Sequence, residues 1–97
     1  MIQYTMIKSF THKGLQKFYE EGSTKGIIFE HSKKIRMRLV ALDTAKIIED
    51  IQLPGFELHQ LKGDRADIWS IKVNGNWGIT FRFEDGEVYI VNYEDYH

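Results

Sequence analysis

The chain has 97 residues, 42% of them hydrophobic and 28% charged, with a net charge of −1. That length allows one modest core, and that composition excludes a disordered or collagen-like chain. The absence of cysteine excludes disulfides and thiolate metal sites, no apolar run is long enough for a membrane helix, and the N-terminus lacks the basic-then-apolar layout of a signal peptide, so a reducing cytoplasm is the expected compartment.

In chain order, "QYTMIKSF" reads as a short first strand. "THKGLQKFYEEGST" reads as a short helix, with Thr11 as N-cap, Leu15 and Phe18 on one face and an end near Gly22. "EHSKKIRMRLVALDTAKIIED" is the clearest helix: Ile35, Leu39 and Leu42 fall at i, i+4 and i+7, and Ser32 is placed to cap it. A turn near Asp43-Thr44 leads into a further helical turn carrying Ile47 and Ile48, and "LPGF" is a break. The last forty residues change to period two. "FELHQL", "DIWSIKV", "NWGITFRF" and "EVYIVNY" are four strand candidates, the last three divided by the turn signals "NGN" and "EDG". Sequential strands favour an antiparallel meander. The expected fold is α+β in two layers over a single domain, residues 1–97: an N-terminal strand, and two helices packed on one face of a mainly antiparallel sheet of four to five strands.

The small net charge hides an asymmetry. Residues 1–46 carry +5, mainly at Lys33, Lys34, Arg36, Arg38 and Lys46, and residues 47–97 carry −6. A solvated basic helix face explains the first half without requiring a polyanion partner.

Register decides which side chains share a face. A three-residue loop at Asn74-Gly75-Asn76 sets Val73 against Trp77, Ile71 against Ile79 and Trp69 against Phe81, all apolar. A turn at Asp85-Gly86 sets Phe83 against Val88 and Phe81 against Ile90. The opposite face then carries Lys72, Gly78, Thr80, Arg82, Tyr89, Val91 and Tyr93, with Asp95 and His97 continuing it and Tyr96 on the other side. In "FELHQL", Phe56 and Leu58 go to the core and Glu57 and His59 to the polar side, with Lys62 and Arg65 in the following loop.

Two imidazoles, a carboxylate and nearby cations are the groups needed to cleave a phosphodiester without metal. One removes the proton of a ribose 2′-OH, another protonates the departing 5′-oxygen, and cations stabilise the charge on phosphorus oxygens. Exposed aromatic rings stack unpaired bases. None of these residues is diagnostic alone. His59 as an ordinary strand-surface residue, His97 as a frayed tail and Tyr93 and Tyr96 as packing residues are the plainer alternatives. His59, His97 and Asp95 lack a close metal-ligand spacing, so neither metal nor cofactor is expected.

The motifs "MIKSF", "HKGL", "LHQLKGDR", "WSIKVNGNW", "ITFRFEDGEVY" and "YEDYH" resemble, from Met6 onward, the HigB family of host-inhibition toxins in the RelE superfamily. Family members start at the position of Met6, so "MIQYT" is either an upstream start or a strand extension. The resemblance implies a ribosome-dependent mRNA endonuclease that cuts the codon in the ribosomal A site. It also implies a HigA-type helix-turn-helix antitoxin as partner, with operator DNA reached only through that complex. It matches His59, Asp95, Tyr96 and His97 to catalytic positions and Lys62 to a phosphate contact. Arg65, Lys72, Arg82 and Tyr93 join these as RNA-facing candidates by the alternation above. His59 or Asp95 would activate the 2′-OH and His97 would protonate the leaving oxygen. One departure stands out: the family reads Asn-Trp-Arg where this chain has "NWG". Gly78 lacks the forked cation of that arginine. Either Arg82 or Lys72 covers the loss, or the change lowers toxicity. In the second case the chain retains antitoxin binding and acts as co-repressor.

Overall fold

The computed structural model describes residues 6–95. Residues 1–5, which hold most of the question of the start site, and Tyr96 and His97 lie outside the described residues. Alternating apolar residues build a four-stranded antiparallel sheet in sequential order: β1 (His59–Gln60), β2 (Trp69–Asn74), β3 (Trp77–Glu84) and β4 (Glu87–Asp95). Two helices, α1 (Lys13–Glu21) and α2 (Ser32–Thr44), complete the α+β architecture. Leu15 and Phe18 of α1 and Ile35, Leu39 and Leu42 of α2 are buried with Ile71, Ile79, Phe81, Val88 and Val91 of the sheet. Removing these side chains from water is what holds the two layers together.

The N-terminal segment forms two parallel bridges to β4, Ile7 to Val88 and Phe10 to Val91, so it extends the sheet beyond its last strand. Its N–H and C=O groups alternate with those of β4: Val88 N donates to Met6 O (2.8 Å) and Thr11 N to Val91 O (2.9 Å).

The helix starts differ from those expected. The cap of α1 is His12, not Thr11. Its Nδ1 accepts the Leu15 N–H at 2.9 Å, while the Thr11 hydroxyl donates to Val91 O. An imidazole lone pair satisfies an orphan helix donor as a hydroxyl does. Ser32 lies inside α2 and does not cap it, because a 3-10 turn (Phe29–His31) leads directly into the helix. Arg38 does not belong to a solvated basic face either. It is 5% exposed, lies over the Phe56 ring at 4.3 Å, and donates from Nε to Lys72 O at 2.8 Å.

The pairs Trp69–Phe81, Ile71–Ile79 and Phe83–Val88 form as the alternation predicts. Two β-bulges change the rest. Between Lys72 and Asn74 the register shifts, so Asn74 and not Val73 pairs with Trp77. The turn is therefore two residues, Gly75-Asn76, with Gly75 at φ 57° where a glycine is needed, and the bulge keeps Val73 buried. In β4 the register shifts after Arg82–Tyr89, so Phe81 does not pair with Ile90; Thr80 then meets Asn92, Ile79 meets Tyr93, Gly78 meets Glu94 and Trp77 meets Asp95. Ile90 sits at φ 49°, a strained value for a β-branched residue. Ser9 holds the distortion: its Oγ accepts the Ile90 N–H at 2.8 Å and its carbonyl the Val91 N–H at 3.0 Å.

One extra residue in a strand exchanges its faces. Val91 and Tyr93 therefore lie in the core beneath the helices, and Asn92 and Glu94 take the open face that alternation alone assigned to Tyr93 and Asp95.

Candidate active site

β1 is short because Glu57 adopts φ 48°, a left-handed conformation that breaks the strand before it. That kink brings the Glu57 carbonyl to His59 Nδ1 at 3.0 Å. A carbonyl only accepts, so Nδ1 carries the proton and the neutral ring keeps its lone pair on Nε2. His59 pairs with Ser70, Ser70 with Thr80 and Thr80 with Asn92, a polar row across all four strands of the open face.

One end of this row lines a cleft of about 240 Å³, formed by His59, Ser70, Glu57, Lys72, Asn76 and Trp77. Lys72 stands opposite Gly78 as expected, and its ammonium is 3.3 Å from the Glu57 carboxylate. Both side chains are well exposed, so this pair is weak and leaves the ammonium available to a stronger anion. The backbone of Lys72 is held firmly by contrast. Its N–H donates to Phe56 O at 2.6 Å and its carbonyl accepts from buried Arg38. Asp95 is exposed at the end of β4 and pairs with Trp77, but it does not line the cleft, and Tyr96 and His97 follow it in the chain. Gly78 is opposite Glu94, not Tyr93.

Three candidates have other occupations. Tyr93 is 5% exposed and stacks on Trp77 with ring centroids 4.5 Å apart. Its hydroxyl is 2.6 Å from Nδ1 of His31, itself 6% exposed. Burial raises the Tyr93 pKa and lowers that of His31, so the phenol donates to a neutral ring. Tyr93 is therefore a packed core residue and offers no face to a base. Arg82 lies over the Tyr89 ring at 5.2 Å with Nε 3.4 Å from the Glu84 carboxylate. Four residues along β3 from Gly78, or roughly 13 Å, it does not line the cleft. Arg65 donates two hydrogen bonds to Glu94, at 3.0 and 2.6 Å. Lys62 is exposed just before the 3-10 turn (Gly63–Arg65).

Glu94 is the polar hub that alternation missed. Besides Arg65 it accepts from the Thr80 hydroxyl at 2.5 Å and from the Asn92 amide at 3.1 Å. The Arg65 guanidinium, with help from these donors, holds its carboxyl below the usual carboxylate range. Only knowledge of the bulge at Ile90 would have put Glu94 on this face. Asn76 in the cleft and His31 beneath it were likewise hidden, one in a turn and the other in a helix start.

The arrangement is a cleft on a β-sheet with a tautomerically fixed imidazole, a loosely paired ammonium and an aromatic wall, suited to an extended anionic chain. Residues 8–97 match the family model described as the RelE-like toxin of the type II toxin–antitoxin system HigB. The chain is 51% identical over 92 residues to the protein named Endoribonuclease HigB of Proteus vulgaris, an alignment that covers 95% of this chain and 100% of that protein.

Proposed function

This chain belongs to the family of RelE-like HigB toxins of type II toxin–antitoxin systems, and we propose that it is a cytoplasmic endoribonuclease that cuts mRNA in the ribosomal A site. The observation that carries the chemistry is the locked ring of His59. With Nδ1–H held by the Glu57 carbonyl, Nε2 is the nitrogen left to accept a proton. His59 takes the proton of a ribose 2′-OH. The 2′-oxygen then attacks phosphorus, the bond to the 5′-oxygen breaks, and a 2′,3′-cyclic phosphate is left. The leaving oxygen takes its proton from the terminal Asp95-Tyr96-His97 group, with His97 as donor and Tyr96 positioning the phosphate or a base. Lys72 and Lys62 balance the charge on the phosphate oxygens. The Trp77 wall of the cleft gives a base something to stack on.

The partner that silences this activity is an antitoxin, of the HigA helix-turn-helix type, and operator DNA is bound only through that complex. A second reading rests on Gly78, which stands between Lys72 and Glu94 where the family carries an arginine. On that reading cleavage is slow and the chain acts mainly through antitoxin binding. Growth without antitoxin separates the two. The endoribonuclease reading expects induction to arrest growth, Gly78→Arg to deepen the arrest and His59→Ala to abolish it. Equal growth with all three chains would overturn it.

A further inference from the structure

The Gly63–Arg65 turn and the end of β4 are far apart in sequence and are joined across two intervening strands. Arg65 leaves the loop between β1 and β2, passes over the open face and meets Glu94, with which it forms a two-pronged ion pair, nitrogen to oxygen, at 3.0 and 2.6 Å. Thr80 of β3 and Asn92 of β4 donate to the same carboxylate, so Glu94 is fixed from three directions. The loop itself is tied at its base by Leu61 N to Ile68 O (2.8 Å) and by the Gln60 side-chain amide to Ala66 O (2.5 Å). A closed loop has few ways to move, and a planar guanidinium engaged on both prongs has one preferred orientation. What rides on the two ends matters. Lys62 opens the loop, one residue before its 3-10 turn, and Asp95 directly follows Glu94.

We propose that Arg65 and Glu94 are positioning residues, whose ion pair fastens the loop bearing Lys62 to the strand end bearing Asp95 and so holds a candidate phosphate-binding cation in a fixed relation to Asp95. Arg65 then contacts no phosphate: both of its prongs serve Glu94, and releasing them would leave a half-buried carboxylate without its strongest partner. The role in cleavage rests on the endoribonuclease reading above, while the fastening of the two segments does not.

Two measurements on the full chain decide it. The first is amide NMR of Glu94→Gln, which keeps the side chain's shape and removes its charge. The amides of residues 62–67 and of Asp95 shift together if the pair couples them. Shifts confined to residues 92–95 would overturn the coupling whether or not the chain cuts RNA. The second is single-turnover cleavage of an mRNA on ribosomes with the protein in excess. Displacing catalytic groups slows the chemical step by about tenfold to a hundredfold. Glu94→Gln and Arg65→Ala should therefore each lower the plateau rate by about that factor. The half-saturating concentration should stay unchanged, and the double variant should be no slower than either single one. The exchanged pair Arg65→Glu with Glu94→Arg should recover part of the rate. A direct phosphate contact has a different signature. Arg65→Ala would raise the half-saturating concentration and reduce the salt slope by about one, while Glu94→Gln would tighten binding. That outcome would overturn the proposal. If Arg65→Ala does not fold, Glu94→Gln alone carries both tests. If the unaltered chain leaves mRNA intact, the endoribonuclease reading fails and the NMR result still decides the coupling.

Discussion

In the proposed mechanism single residues carry the chemistry, and their environments set the proposed base apart from the structural groups. His59 is exposed with its tautomer set by a carbonyl, whereas His31 is buried with its Nδ1 against a phenol. Removing a general base typically costs a hundredfold to ten-thousandfold, so His59→Ala should lower the cleavage rate by about a hundredfold or more. Thermal unfolding should stay unchanged, because the side chain lies on the open face; this is read by pairing a cleavage assay with a melting curve. Tyr93→Phe should behave oppositely. It leaves buried His31 without its donor and should cost about 1–3 kcal/mol in urea unfolding. His59 and Lys72 were legible in the sequence because they precede both bulges, and Gly78 in part, since it pairs with Lys72 as expected but meets Glu94 and not Tyr93 on β4. Tyr93 was not, because one inserted residue moved it from one face to the other.

At the scale of elements, one local feature sets the geometry of the site and a second sets the packing of α1. The bulge in β4 is imposed from outside by Ser9, whose hydroxyl and carbonyl take the two amides that the distortion frees. Ser9→Ala removes one of these bonds and should cost about 1 kcal/mol. If Ile90 relaxes to ordinary strand geometry, Glu94 loses its place on the open face, so the same variant should also slow cleavage; urea titration and the single-turnover assay read the two effects. The second feature is the approach of α1 to the loop after it. A methyl group on Gly14 would meet the Gly26 carbonyl at 2.5 Å, and one on Gly26 would meet the Gly14 Cα at 2.3 Å. These are backbone atoms that cannot step aside, so Gly14→Ala should destabilise by about 1–3 kcal/mol or more in urea unfolding. The elements themselves were largely readable, since apolar residues alternate in the sequence of β2 and β3 and Ile35, Leu39 and Leu42 fall at helical spacing in α2. Their joints were not. Bulges and helix caps arise from long-range bonds, such as Ser9 to Ile90, that no local pattern encodes.

The whole molecule links its stability to pH through groups that must keep a particular charge. His12 caps α1 and His31 receives Tyr93, each through a nitrogen lone pair that protonation removes. Burial lowers both pKa values below the ordinary 6.5. Their contribution is therefore full above pH 6.5 and is lost as pH falls from there through the folded values. Glu94, whose pKa Arg65 depresses, contributes above the ordinary carboxylate value of 4.5 and loses that contribution as pH falls through its lower folded value. Stability should thus decline in two stages on acidification, the first disappearing in a His12→Asn, His31→Gln double variant and the second in Glu94→Gln. Urea midpoints across pH 3 to 8 would display both stages. The two-layer frame that connects these groups was legible from periodicity alone, and the family from its motifs. The central functional claim, that this frame presents a cleft for cutting mRNA on the ribosome, is tested most directly by primer extension. The template is an mRNA in a translating extract supplied with this chain, with Gly78→Arg or with His59→Ala. The expected result is cuts within codons that appear only during translation with both the unaltered chain and Gly78→Arg, are more frequent with Gly78→Arg, and are absent with His59→Ala. Intact mRNA with both the unaltered chain and Gly78→Arg would contradict the endoribonuclease reading.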